Sequence, residues 1–283
     1  MNIVGGVFLG ILGVRTETYL YINGIVFNEE IKINDSKMLL PASCELPFGI
    51  ISKAIKSDID YSIAVLFGKS IDSQMRIIAN NPKELAISAW NAQWDIMLLS
   101  AIFNCSADCN LQCTDSVYSI TDTSILTITN YHVHSLGLSP YITNGSDVKW
   151  LKEHFINAQA LLDDERFSTA VHSLASYKWH SLPRVQLAVL WMGIESLFKV
   201  DSELVFRISL YVAKFLEGND DAKARDVFND VKRLYKARSS AVHGGKLKGD
   251  LPSIVAQSSL LLNKLIKRCA EKNELPNVDK LAF

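Results

Sequence analysis

The stretch Val231-Lys-Arg-Leu-Tyr-Lys-Ala-Arg-Ser-Ser-Ala-Val-His-Gly-Gly245 carries most of the information in this chain of 283 residues. One face of the predicted helix carries, at helical spacing, Val227, Val231, Leu234, Arg238 and then Ala241 or Val242. Arg238 thus continues an apolar stripe, and an arginine on a packed face is expected to have a partner or to serve an interface. The double glycine Gly244-Gly245 predicts that the helix ends just after His243.

The same stretch concentrates positive charge near the end of the helix. Between Val231 and Gly249 there is no acidic residue, and the six basic ones are Lys232, Arg233, Lys236, Arg238, Lys246 and Lys248. Such a run attracts phosphate, although it is also typical of a solvated basic face. At the helix end the dipole favours a charged imidazole on His243. Arg238 and His243 lie about 140° apart around an ideal helix. They converge only because arginine is long and the helix is ending, and the alternative is an ion-paired Arg238 and a capping His243.

The rest of the second half also has helical periodicity. Helices are predicted at 147–163, 167–179, 183–199, 202–217, 221–243 and 251–271, which together describe an all-α bundle. On the third of these, Glu195 shares an apolar face with Trp191, Ile194 and Phe198. A carboxylate there requires a partner, and Arg238 or Arg207 is the candidate. The pair would either orient Arg238 in a site or be a structural ion pair.

The first half has the pattern of an α+β domain made of hairpins plus a helix. Asn23-Gly24 between Tyr19–Ile22 and Ile25–Phe27 predicts a hairpin, because a type I′ turn needs positive φ at both central residues. Two further strand pairs are predicted, 61–67 with 74–79 and 117–120 with 124–133. Between them, Asn81-Pro82-Lys-Glu84 predicts the start of a helix that runs to about Phe103. A linker at 136–147 then separates an α+β domain at 1–140 from a helical domain at 147–275.

Composition excludes several classes of protein. The chain is 48% hydrophobic and 21% charged, as expected of a folded domain and not of a disordered one. The net charge of −1 combines −5 over residues 1–145 with +4 over residues 146–283, so polyanion binding is expected of part of the second half only. The apolar stretch 3–14 is short, contains four glycines and follows no basic residue, so neither a signal peptide nor a membrane partner is expected, and a cytoplasmic location is predicted.

A zinc site in the first half is a weaker alternative. Cys105, Cys109 and Cys113 have a spacing that resembles metal ligation, and His132 and His134 share one face of a predicted strand. The same cysteine spacing also arises by accident at a helix end, and reduced cysteines are common in cores. Zinc, if bound, would stabilise the first domain or make it a metal-dependent sensor. For the chain as a whole no cofactor is predicted.

The arrangement Leu234-Tyr-x-x-Arg238-Ser-x-x-Val-His243-Gly244 resembles the C-terminal signature of HEPN domains, in particular the ApeA-like group. That family carries Arg-x4–6-His near the end of a helix. The segment Gln186-Leu-Ala-Val-Leu-Trp-Met-Gly-Ile-Glu195-Ser-Leu-Phe198 is similar to its Glu-bearing upstream helix, and Arg207 resembles a basic residue of the next one. The resemblance covers about 150–270, and the ApeA-like group tolerates the Ser239 that follows the motif arginine.

The resemblance implies a metal-independent endoribonuclease that acts as a homodimer, with Arg238 and His243 as catalytic residues. It implies RNA as the substrate and a role in antiphage defence as a toxin. A regulatory partner or a phage-derived trigger, with the first domain as sensor, completes this expectation. Supporting residues are Glu195, Ser239 and Tyr235, and the RNA-binding residues are Lys232, Lys236, Lys246 and Lys248. The rival hypothesis is a non-catalytic RNA-binding or dimerisation module.

Overall fold

A computed structural model describes residues 14–55, 58–129, 139–200, 202–218, 220–242 and 250–281. The chain divides into two units. The first contains the described residues up to Leu99 together with Cys105–Glu153, and the second contains Ser100–Asn104 and the described residues from His154 onward. An antiparallel sheet region followed by a helical half is the layout that the sequence predicts.

The first unit is built on a six-stranded sheet with the order β3-β4-β5-β1-β6-β7. Its strands are β1 Glu17–Asn23, β3 Ile31–Lys32, β4 Lys37–Cys44, β5 Ile71–Ile78, β6 Asp108–Cys113 and β7 Leu126–Ile128. Every neighbouring pair is antiparallel. The central β1 pairs with β5 on one side and β6 on the other, so that Leu20 lies opposite both Met75 and Gln112. Leu20, Tyr21 and Ile22 are buried on this strand.

The predicted hairpin at Asn23-Gly24 is wrong, because the strand after the glycine leaves the sheet. β2 (Ile25–Val26) pairs in parallel with β8 (Tyr141–Ile142). Gly24 does adopt a positive φ of 88°, its N–H donates to Asp72 over 2.7 Å, and a Cβ there would lie 2.0 Å from the Ser106 carbonyl oxygen. The glycine is thus required for a bend. Both edges of β1 are taken by distant strands, which outcompete local pairing.

Two further strand predictions are also wrong. Residues 61–67 lie in a helix, α2 (Asp58–Gly68), which follows α1 (Phe48–Ala54), and residues 117–120 form a turn. A short apolar run is ambiguous between strand and helix, and here Ala64 and Phe67 are buried at helical spacing. The first half therefore contains more than one helix. β5 and β7 lie within or beside the predicted segments 74–79 and 124–133.

The long helix predicted from its start signal is confirmed. α3 runs from Pro82 to Phe103, and the Asn81 side-chain oxygen accepts a hydrogen bond from the Glu84 N–H over 3.0 Å. This is the N-cap that the Asn-Pro pattern indicates.

The chain from Gly145 onward is helical, with bounds close to those predicted. They are α4 Gly145–Leu161, α5 Glu165–Ser176, α6 Pro183–Phe198, α7 Leu204–Glu217, α8 Asp221–Val242, α9 Leu251–Lys272 and α10 Val278–Leu281. Asp164 and Asp250 cap α5 and α9 through their side chains, and Pro183 opens α6. Pro183 and Asp250 stand within one residue of the predicted starts at 183 and 251, so these local signals locate the two helices well.

Helix α6 crosses the core of the second unit. Trp191 is fully buried, and its indole N–H donates to the Ser258 hydroxyl over 3.2 Å. A Cβ on Gly193 would lie 2.8 Å from a side-chain carbon of Ser173 and 2.9 Å from one of Leu262. The glycine therefore lets α6 approach α5 and α9 closely.

Candidate functional site

Arg238 lies on the packed face of α8, as its place in the apolar stripe predicts. Val231, Leu234, Tyr235 and Ala241 on the same helix are all buried. The Arg238 side chain itself keeps 21% of its surface exposed. It is therefore held by the core and still reaches the surface of the unit.

Glu195 on α6 is the partner of Arg238. The guanidinium Nη2 lies 3.2 Å from Oε1 and 3.3 Å from Oε2 of the carboxylate, whose side chain is 29% exposed. This confirms one of the two pairings that the sequence allows. The Nε of Arg207, the other candidate, instead lies 3.5 Å from the carboxylate of Glu203, the residue just before α7.

The surroundings of the Glu195 carboxylate shift its pKa in opposite directions. Burial raises its pKa above the usual value, although the charge of Arg238 and the hydroxyl of Tyr235 both act to lower it. Among the described residues, neither its buried Oε1 nor the buried Nε of Arg238 has a hydrogen-bond partner. A single guanidinium nitrogen therefore makes the contact with the carboxylate. Burial disfavours the charged form of Glu195 more than Arg238 and Tyr235 together favour it.

Aromatic rings fix the position of the arginine. The guanidinium carbon lies 5.6 Å from the centre of the Tyr235 ring, within the range of a cation–π contact. Tyr235 in turn packs edge-to-face against Trp191, with ring centres 5.0 Å apart. Burial is the main cause that raises the pKa of Tyr235, and the charge of Glu195 adds to it. Arg238 therefore contacts the carboxylate of Glu195 and the ring of Tyr235, which packs against Trp191.

Arg184 is a member of this region that the sequence reasoning missed. Its Nη1 donates to the Ala241 carbonyl over 2.6 Å, in the last turn of α8. A cation is unfavourable in the first turn of its own helix and favourable at the C-terminal end of another. Pro183 opens α6, so Arg184 lies in the first turn of that helix. A basic residue at this position is the sequence signal that could have indicated a partner on another helix.

The other predicted site residues are only partly placed. Ser239 and Lys232 are half-buried on α8 and Lys236 is exposed. His243, Lys246 and Lys248 lie outside the described residues, which stop at Val242 and resume at Asp250. The structure thus assembles Arg238, Glu195 and Tyr235 at the helix end that precedes His243.

The structure does not group the three cysteines of the zinc alternative as metal ligands. Cys109 and Cys113 lie on strand β6 and not at a helix end, and Cys105, Cys109 and Cys113 are buried. The Cys109 sulfur instead lies within hydrogen-bonding distance of Gln93 Nε2, at 3.8 Å, and of the Leu111 carbonyl oxygen, at 3.5 Å. Within the described ranges no three His, Cys, Asp or Glu side chains are grouped so that they could hold a metal ion. His132 and His134 lie outside those ranges.

Comparison of the chain with protein-family models, with curated proteins and with solved structures gives no match. Among the helices that the structure describes, none combines the length and apolar character that a membrane crossing requires.

Proposed function

We propose that this protein is a metal-independent endoribonuclease of the HEPN type, with Arg238 and His243 as its catalytic residues. The observation that carries the proposal is the Arg238–Glu195 pair. The pair holds a partly exposed guanidinium, 5.6 Å from the centre of the Tyr235 ring, in the last turns of a helix and five residues before a histidine. A partly exposed arginine with one carboxylate partner still has donors that match the oxygens of a phosphodiester.

In the proposed reaction the ribose 2′-OH attacks the adjacent phosphorus and the bond to the 5′ oxygen breaks. One histidine accepts the 2′ proton and a second gives a proton to the leaving oxygen. The guanidinium of Arg238 stabilises the charge that develops on the phosphate oxygens. The products are a 2′,3′-cyclic phosphate and a 5′-OH end, and DNA is not cleaved because it lacks the 2′-OH.

A single His243 does not easily act as base and acid in one step. A two-fold homodimer supplies the second histidine and arginine without any further motif residue. Glu195 and Tyr235 are positioning residues in this scheme, since they contact Arg238 and not the reacting atoms. Ser239 supports the arginine, and Lys232, Lys236, Lys246 and Lys248 bind the RNA backbone.

The biological setting that we propose is a cytoplasmic toxin of antiphage defence. The first unit acts as a sensor or a restraint that responds to a regulatory partner or a phage-derived trigger. The acidic balance of residues 1–145 supports this division, because RNA binding is favoured only by the second half.

The test is cleavage of total RNA by the pure, full-length protein in EDTA. Cleavage is expected for wild type and loss of cleavage for Arg238→Ala and His243→Ala. Arg233→Ala is the matched control, because Arg233 lies on the same helix but pairs with Asp230 and Gln257 on an exposed face. Equal cleavage by wild type and Arg238→Ala would reject the proposal.

A non-catalytic RNA-binding or dimerisation module is the second candidate. The observation in its favour is that Arg238 already has a carboxylate partner and is only 21% exposed, which is also what a structural ion pair looks like. Retained RNA binding by a wild-type protein that leaves every RNA intact would favour this reading.

A further inference from the structure

Phe206 is an exposed aromatic side chain beside the helix that carries Arg238. It lies on α7 with 55% of its surface exposed. Its ring packs edge-to-face against Phe228 of α8, with centres 5.8 Å apart. The ammonium of Lys232, one turn further along α8, lies 5.6 Å from the centre of the Phe228 ring. Aromatic surface and positive charge therefore meet at one place.

The charges of α8 are sorted around the helix. On an ideal helix Arg225, Lys232 and Lys236 all fall within about 80° of Phe228, on the same side. Asp226 and Asp230 fall about 160° from Phe228, on the opposite side. Asp221, about 20° from Phe228, is the one carboxylate of α8 on this side, and Arg225, Lys232 and Lys236 outnumber it there.

Other cations of this region form ion pairs. Arg207, next to Phe206, pairs with Glu203 at 3.5 Å. Arg233 pairs with Asp230, 3.2 Å away, and Lys223 pairs with Asp220, 3.0 Å away. Among the described residues, Lys232 has the Phe228 ring as its neighbour rather than a carboxylate. The positive charge beside Phe228 is thus available to a phosphate.

Arg238 lies further along the same helix, toward its C-terminal end. Ten residues separate Phe228 from Arg238, which is about 15 Å along the helix axis at 1.5 Å per residue. Lys232 and Lys236 lie between them and are spaced one turn apart. Around the helix axis Arg238 falls about 80° from Phe228 and about 160° from Lys236, so a strand that follows the lysines reaches the C-terminal end of α8 on a different side from Arg238.

We propose that Phe206 is a stacking platform for an unpaired base of single-stranded RNA, and that Arg225, Lys232 and Lys236 bind the phosphates that flank that base. The inference rests on the proposed function, since it names where the substrate of that site lies outside the catalytic residues. An exposed phenylalanine alone is ordinary on a protein surface. Its combination with cations sorted onto the same side is the pattern of single-strand binding, in which bases stack on rings and basic side chains follow the backbone.

The experiment measures binding of a fluorescent single-stranded RNA to the full-length protein by anisotropy, in a His243→Ala background that prevents cleavage. Phe206→Ala is expected to weaken binding about tenfold, the size of the loss of one base–aromatic stack. Phe206→Trp is expected to restore it, because indole offers a larger stacking face. Lys232→Gln is expected to reduce the slope of log affinity against log salt by about one.

Trp90→Ala is the matched control. Trp90 is also an exposed aromatic side chain on a helix, with 47% of its surface exposed, and it belongs to the first unit. Binding by this variant is expected to equal that of the parent protein. In the cleavage-competent protein, Phe206→Ala is expected to raise KM on a long strand and to leave kcat near the wild-type value.

The outcomes separate this inference from the nuclease proposal. Phe206-dependent RNA binding by a protein that cleaves nothing supports the platform and rejects the nuclease. Arg238-dependent cleavage with RNA affinity indifferent to Phe206 overturns the platform and leaves the nuclease standing. A Phe206→Ala variant that binds RNA normally but changes its oligomeric state overturns the platform in favour of a contact between copies.

Discussion

Replacement of Glu195 by glutamine separates a positioning role from a structural one. Glutamine keeps the shape of the side chain and can still accept a hydrogen bond from Arg238, but it removes the charge. Breaking a fully buried ion pair costs about 3–5 kcal/mol. The Glu195–Arg238 pair is partly exposed, at 29% and 21%, and burial raises the pKa of Glu195 despite its partner. The ionised carboxylate therefore carries a net burial cost, which offsets what the pair contributes to stability.

We expect Glu195→Gln to change the free energy of unfolding by no more than about 1 kcal/mol at neutral pH. Cleavage is expected to fall about 100-fold, because a guanidinium that loses its carboxylate shifts from the position in which it contacts the phosphate. Urea denaturation measures the first quantity and single-turnover cleavage the second. Asp230→Asn is the control, since its ion pair with Arg233 is exposed on the same helix and should affect neither.

The pH dependence of stability gives an independent check. A carboxyl group whose pKa is higher in the folded state contributes stability that is fully present below its unfolded pKa and is lost as the pH rises through the folded value. The wild-type protein should therefore lose stability relative to Glu195→Gln as the pH rises from about 4.5, the ordinary value for glutamate. A variant destabilised by about 3 kcal/mol or more, or one that cleaves RNA like wild type, would refute the positioning role.

Three other changes test the structure around the site and in the first unit. Asp95→Asn should destabilise the protein by about 3–5 kcal/mol in urea, because it leaves Lys37 without its charged partner 2.6 Å away in a pair whose side chains are 9% and 4% exposed. A Lys37→Met, Asp95→Leu double variant that is as unstable as Asp95→Asn would contradict this account. Gly193→Ala should cost about 1–3 kcal/mol, since its Cβ would lie 2.8 Å from a side-chain carbon of α5, and an unchanged Tm would show that the helices yield. Arg184→Ala should cost about 1 kcal/mol and reduce cleavage, because the Ala241 carbonyl at the end of α8 loses its donor; full activity would remove Arg184 from the site.

The helices of the second unit were predictable because their signals are local. Pro183 and Asp250 begin helices where the sequence indicates, and the long helix after Asn81 ends at Phe103 as predicted. Capping residues and a 3.6-residue period act within one or two turns, so no distant partner is needed to interpret them.

The strands of the first unit were not predictable in this way. The sequence at Asn23-Gly24 favours a hairpin, but β1 finds its partners about 50 and 90 residues further along the chain. β4 and β6 carry buried polar residues such as Lys37 and Gln112. These residues interrupt the alternation of apolar and polar side chains by which a strand is predicted from sequence.

In the candidate site, too, residues with a local sequence signal were predicted and residues defined by distant contacts were not. Arg238 was found because an arginine interrupts an apolar stripe, and Glu195 because a carboxylate does the same on α6. Arg184 and Phe206 were missed, since a surface arginine and a surface phenylalanine acquire meaning only when the helices that they contact are known.

The most direct test of the central claim is the chemistry of the cut end. The full-length protein is incubated in EDTA with an RNA strand, and the products are analysed for a 2′,3′-cyclic phosphate. A second strand carries a single 2′-deoxy sugar at the position that is cleaved. The account predicts cyclic phosphate ends in EDTA, loss of cleavage at the deoxy position and loss of all cleavage in Arg238→Ala. Cleavage at the deoxy position, or cleavage that requires a divalent metal ion, would contradict it.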